Sequence, residues 1–418
     1  MSKSGNNSTR WHYAYIILGT GMLCLVSSLG FGRFSYALLL PAMRADFNTS
    51  YTQMGSIATA NALAYMISAL VCGILTGRFG ARVVITCALI LCAIGVVCTG
   101  LAQSVEQAAI FQFLCGLGTG GAVGPVYAIT NPWFAPHKRG LATGIVQMGS
   151  GLGLLVGGFL VPQLQNAGGE SGWRYAWYAL GLLIFVVSFL AAILLRNNPA
   201  AQGLSPFGSK NQPSKVAHPT HARSSQLANL KSVYTSIRIW HLGIIFSCFG
   251  LSYVVYTVYF AAYLVSNGLS NQEAGFIWSA GGFVSVGGSL LWGIVADRRG
   301  SRFSLMAVLS IQATALLILS LFNNTLGYYL GAMLYGLALW GIPVVISYTT
   351  ALVAGPKMTA PALGMVIVCF SVGQVIGPLL AGWLKDVSGS LVIPLIVASC
   401  IAWVGVLLST MVKIPRYS

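Results

Sequence analysis

Acidic residues are nearly missing from this chain, with six Asp and Glu against 22 Lys and Arg. Charge of either sign is sparse at 7%, while hydrophobic residues reach 56%, too many for a soluble protein of 418 residues to cover its surface with polar groups. The nine cysteines show no CxxC pair and no His-Cys cluster, so no metal or disulfide framework is expected; all fall within apolar runs and read as small apolar residues. No nucleophile with a base, phosphate loop or paired carboxylates can be found, which gives an enzyme no foothold and implies no catalytic residue, metal or cofactor.

What is abundant is apolar sequence in lengths that cross a bilayer as helices. Such runs lie near 12–40, 51–77, 83–102, 107–131, 140–163 and 174–196, then near 238–266, 271–296, 303–322, 325–350, 361–383 and 391–412. The expected fold is an all-α membrane protein of twelve transmembrane helices in two six-helix bundles. Alternate loops beginning with the amino terminus hold 18 basic residues, and the opposite loops hold Arg44, Arg174 and Lys385. The positive-inside rule then places both termini and the central loop in the cytoplasm. The net charge of +16 thus reports topology and lipid contact, not a nucleic-acid partner. The first run lacks a small-residue cleavage site and is expected to be a retained helix of the bacterial inner membrane.

The chain is internally duplicated. GILTGRFGAR at 73–82 returns as GIVADRRGSR at 293–302, and the same offset of 220 superposes Gly30 on Gly250, Tyr36 on Tyr256, Ser50 on Ser270 and Gly116 on Gly336. The expected organisation is a bundle at 1–196, a Pro-, Ser- and Lys-containing cytoplasmic linker at 197–237, and a second bundle at 238–418. Leu227, Leu230, Val233 and Ile237, spaced as one helical face beside Lys231 and Arg238, suggest a short interfacial helix at the end of the linker. Ser50 with Gln53 and Ser270 with Glu273 read as capping boxes that start the second and eighth helices. Gly144, Gly149, Gly151, Gly153, Gly157 and Gly158 in the fifth helix, with Gly364, Gly373, Gly377 and Pro378 in the eleventh, supply small faces for packing in lipid.

The doubled stretch resembles the G-x-x-x-D-R-x-G-R signature of the major facilitator superfamily, and the resemblance extends over nearly the whole chain. GFGRFSYALLLPAM at 30–43 is similar to the start of a bacterial branch labelled YbfB/YjiJ-like; monocarboxylate and oxalate/formate carriers look like more distant relatives. The resemblance implies a secondary transporter with a conformational latch made of Gly73, Arg78, Arg82, Gly293, Asp297, Arg298 and Arg302. Gly77 stands where the first copy should have its Asp, so the charged latch is one-sided. In the family's antiporter pattern Gly158 replaces the Pro, and Gln112 stands where proton-coupled members often carry an Arg.

Arg33 is the one charged residue that no loop or helix end accommodates. A cation at that depth costs at least about 2.5 to 3.5 kcal/mol, so it should face a cavity or the protein interior. No acid lies in any span to neutralise it, which leaves a substrate anion, lipid phosphate, carbonyls or water. The offset places Tyr253 opposite Arg33 and Tyr256 opposite Tyr36, with Asn61, Tyr127, Asn131, Gln147, Trp340 and Gln374 as further polar candidates for a substrate site. The expected function is transport of a small organic anion, a monocarboxylate or aromatic acid, by alternating access in a monomer. An exporter of uncharged or lipophilic compounds is the alternative, and a non-transporting membrane sensor is an alternative of another class.

Overall fold

The computed structural model describes residues 12–209, 233–355 and 358–412. Among them are twelve helices long and apolar enough to cross a membrane. The first half holds α1 (Ala14–Phe47), α2 (Tyr51–Phe79), α3 (Ala81–Leu101), α4 (Val105–Trp133), α5 (Pro136–Ala167) and α6 (Gly172–Leu194). The second holds α7 (Ile237–Ser266), α8 (Asn271–Arg299), α9 (Ser301–Leu321), α10 (Thr325–Ala354), α11 (Thr359–Ser388) and α12 (Val392–Thr410). The ends of α2, α4, α6, α8, α10 and α12 gather at one end of the molecule with most of the described basic residues, here termed the basic end; the opposite is the far end.

Both expected capping boxes are present. Ser50 Oγ accepts from the Gln53 amide at 3.2 Å while Gln53 Oε1 accepts from the Ser50 amide at 3.1 Å. Ser270 and Glu273 repeat the arrangement at 3.2 and 2.8 Å. The duplicated signature also has a shared backbone cause: Gly80 and Gly300 both adopt φ +82°, with ψ near 150°, a region essentially confined to glycine. It turns α2 into α3 and α8 into α9 without intervening loop residues.

Two seams join the halves. Along α5 and α8, a Cβ on Gly158 would lie 2.5 Å from the Gly275 carbonyl oxygen, and one on Gly282 would lie 2.5 Å from the Leu155 nitrogen. This accounts for Gly158 where the antiporter pattern has proline, since a ring there would push α8 away. Along α2 and α11, Gly55 meets the Pro378 carbonyl and Gly382 meets that of Tyr51. Gly364 departs from the expected small face, having nothing within 4 Å of its Cβ position.

Three features differ from the sequence expectations. Residues Val26–Phe34 of α1 form a π-helix instead of continuing the α-helix. The linker's beginning is docked: Phe207 exchanges backbone hydrogen bonds with Trp133 and Ala135 at 2.8 and 3.1 Å and packs on Tyr15 and Phe134. Lastly, α11 extends to Ser388, which puts Lys385 and Asp386 on its last turn rather than in a loop. Leu227, Leu230 and Lys231 of the expected interfacial helix lie outside the described residues.

Candidate functional site

The π-helical turn places Arg33, the only mid-span cation among the described residues. Its Gly30 packs so tightly on Gly153 of α5 that a Cβ would lie 2.5 Å from the Gly153 Cα. A π turn leaves carbonyls poorly served by the ordinary ladder, and neighbours take them up. Ser35 Oγ donates to Gly30 O at 3.1 Å, Cys115 Sγ to Gly32 O at 3.2 Å, and the Thr119 hydroxyl reaches Ser28 O at 3.2 Å. The segment is therefore held from within α1 and from α4, and Arg33 leaves it toward the opposite half of the molecule.

There, one guanidinium nitrogen donates to Gln374 Oε1 of α11 at 3.1 Å, and the guanidinium carbon stands 4.7 Å from the centroid of the Tyr65 ring on α2. Neither partner is charged. The one ion pair among the described residues, Arg174 with Asp46 at 2.9 Å, lies at the far end. Arg33 also borders a small cavity together with Tyr36, Asn61, Gln112 and Thr257. About 20 Å³ of it is open to the centre of a water molecule, room for about one.

The expected site residues separate into groups. Arg33, Tyr36 and Asn61 meet at the cavity, although the Tyr36 hydroxyl is already engaged with Met54 O at 2.7 Å. Tyr253 is buried against Phe249 and Phe370, with ring centroids 5.4 and 6.1 Å away. Tyr127 donates to Gln147, which in turn donates to Ser150 at 3.2 Å. Trp340 faces Phe34, with ring centroids 6.0 Å apart, and its indole N–H has no partner among the described residues. Tyr256 departs from the expectation of a shared cavity wall: its ring stacks on Tyr335 at 3.7 Å and on Phe260 at 4.4 Å, inside the second half. Of the two side chains that contact Arg33, Gln374 is one of the expected polar candidates, whereas Tyr65 carries no charge or motif that distinguishes it in the sequence.

The latch residues are apart in this conformation. Asp297 is exposed and has no hydrogen-bond or ion-pair partner among the described residues, and the positions where Gly73 and Gly140 would carry a Cβ are empty to 4 Å. A Cβ on Gly293 would come no nearer than 4.0 Å to Val344, and Arg298 and Arg302 are exposed. Arg78 lies over the neighbouring Phe79 ring, while Arg82 donates to the Ala192 carbonyl near the end of α6. The closed contact is at the far end. Asp386 Oδ1 and Oδ2 accept from the amides of Tyr51 and Thr52 at 3.0 and 2.8 Å, and the Thr52 hydroxyl adds a third bond at 2.5 Å. The carboxylate thus caps the amino end of α2 across the two halves. Tyr259 reinforces it by reaching both Tyr51 O and Pro378 O. Among the described residues, every hydrogen bond between the halves lies at the level of Arg33 or toward the far end.

Known proteins are similar to this chain over most of its length. The probable sulfoacetate transporter of Cupriavidus necator is 24% identical over 94% of this chain and 93% of its own. The benzoate transport protein of Acinetobacter baylyi is 24% identical over 90% and 84%, and human monocarboxylate transporter 2 is 22% identical over 90% and 80%. A bacterial homolog of the human lysosomal transporter Spinster, described as inward-facing and occupied, superposes with a TM-score of 0.73 at 15% identity over 97% of each chain. The sequence matches the Major Facilitator Superfamily over residues 22–360, far more than half its length. The chain belongs to the Major Facilitator Superfamily, and it is a membrane transporter, not an enzyme.

Proposed function

We propose that this protein carries a small organic anion across the bacterial cytoplasmic membrane by alternating access, with Arg33 holding the anionic group. The observation that carries the proposal is a guanidinium at mid-span satisfied only by a neutral amide and an aromatic face. A carboxylate or sulfonate offers a planar or tripodal oxygen set that suits the guanidinium fork better than either neighbour. The named substrates of the relatives, sulfoacetate, benzoate and monocarboxylates, share an anionic group and little else. The basic end is cytoplasmic, so the present conformation opens inward, with the α2–α11 clasp closing the outside.

Binding to the folded state alone raises apparent stability by mass action. The purified protein should gain melting temperature with small carboxylates or sulfonates, and gain nothing from their amides or esters at equal concentration. Stabilisation by neutral lipophiles instead, with no response to anions, would favour an exporter of lipophilic compounds.

A further inference from the structure

Behind Arg33 stands a chain of buried polar groups whose orientation is forced at each link. Thr99 Oγ1 donates to Gly95 O at 2.7 Å and therefore accepts from Gln112 Nε2 at 3.2 Å. That fixes Gln112 Oε1 toward Asn61, whose Nδ2 lies 3.0 Å from it and 3.1 Å from the Gln112 carbonyl oxygen. With its amide nitrogen between two acceptors, Asn61 cannot be reversed, and its Oδ1 is left as the end of the chain. That oxygen has no donor among the described residues, although Asn61 is only 4% exposed. Leaving a buried acceptor unpaired is costly, so one on a residue that lines a cavity points to a missing partner.

The cavity decides the partner's chemistry. Asn61, Gln112 and Arg33 all line it, and it admits one oxygen-sized group. An ammonium would satisfy Oδ1 but would sit in the field of the guanidinium, which is unfavourable for a like charge. A carboxylate oxygen suits Arg33 but has no proton for Oδ1. A neutral hydroxyl donates to Asn61 and accepts from Arg33, and it is a single heavy atom at the end of a substrate. We propose that Asn61, Gln112 and Arg33 form a hydroxyl subsite, and that the transported anion is a hydroxylated small organic acid. The proposal rests on the assignment of Arg33 to the anion.

Matched pairs separate the two claims. Affinities of the reconstituted full-length protein are measured for glycolate against acetate, 4-hydroxybenzoate against benzoate, and isethionate against ethanesulfonate. At least one hydroxylated member should bind about tenfold more tightly than its partner, as one well-placed hydrogen bond allows. In Asn61→Leu the affinity ratio within that pair should fall to about one, whatever the change in absolute affinity. Equal affinities within every pair in the wild-type protein would overturn the hydroxyl subsite and leave the anion site standing. A preference that survives in folded Asn61→Leu would also overturn it. No binding by any of the six anions would remove both. The wild-type ratios are decisive by themselves should Asn61→Leu not fold.

Discussion

At the scale of single residues, the least ambiguous sequence signals are those with a backbone cause. Gly80 and Gly300 recur at the 220-residue offset because each occupies the same positive-φ corner, and no side chain on a neighbouring helix is needed to explain them. Gly80 has an added steric limit, since a Cβ would lie 2.6 Å from Asn197 Nδ2, whereas Gly300 has nothing within 4 Å. Alanine at Gly300 should cost about 1 to 3 kcal/mol from backbone strain alone. Gly80→Ala should cost at least as much, read as the order of melting temperatures of the two variants. Arg33 was equally legible, because an ionised group in an apolar run stands out by its cost alone. Gln374 was legible as a polar residue inside a span, but Tyr65 did not stand out, since one tyrosine among 418 residues is ordinary until the fold places it against the guanidinium.

At the scale of helices, periodicity and length placed all twelve spans, and the capping boxes set the starts of α2 and α8. The offset was less reliable for faces. It equates α1 with α7, but α1 contains a nine-residue π segment and α7 is α-helical throughout, so residues paired by number do not keep equivalent neighbours. Tyr256 illustrates this by stacking within its own half while Tyr36 lines the cavity. The π segment itself was not legible because its supports, Thr119, Cys115 and Gly153, lie on other helices. Asp386 was missed for a similar reason: an acid at a helix end reads as solvated, and only the fold brings the amino end of α2 to it. Two acids of the second half therefore face opposite tasks. Asp386 on α11 joins the halves at the far end, and Asp297 on α8 is exposed, with no partner among the described residues; we propose that it caps α5 when the basic end closes. Asp386→Asn should shift the balance toward far-end opening by about 0.3 to 1 kcal/mol, and Asp297→Asn should shift it the other way by a similar amount. Spin labels at Gln53 and Val387 would report longer far-end distances for the first variant and shorter or unchanged ones for the second. Shifts of the same sign would argue against paired latches.

For the whole molecule, charge asymmetry and close packing together set orientation and movement. The expected cytoplasmic loops carry the large majority of basic residues, and helix pairs α5–α8 and α2–α11 meet through glycines that leave little room for side chains. A phosphatase fused at the carboxyl terminus should be inactive, and one inserted near Asn323 between α9 and α10 should be active; the reverse pattern would invert the topology. On the proposed orientation and alternating-access mechanism, the far-end seam would be the outer gate, and a bound anion would be released by separating Arg33 from it as the halves rock.

The central claim is that Arg33 holds the anion, and dissociation constants for Arg33→Gln and Arg33→Lys test it most directly. They are to be measured on folded, purified protein with the best-binding carboxylate or sulfonate. Gln removes the charge, while Lys keeps the charge without the planar fork. A charge-assisted bond is worth about 1.5 to 3 kcal/mol, so Arg33→Gln should weaken binding roughly ten- to a hundredfold, with Arg33→Lys in between. Wild-type affinity in well-folded Arg33→Gln would contradict the account.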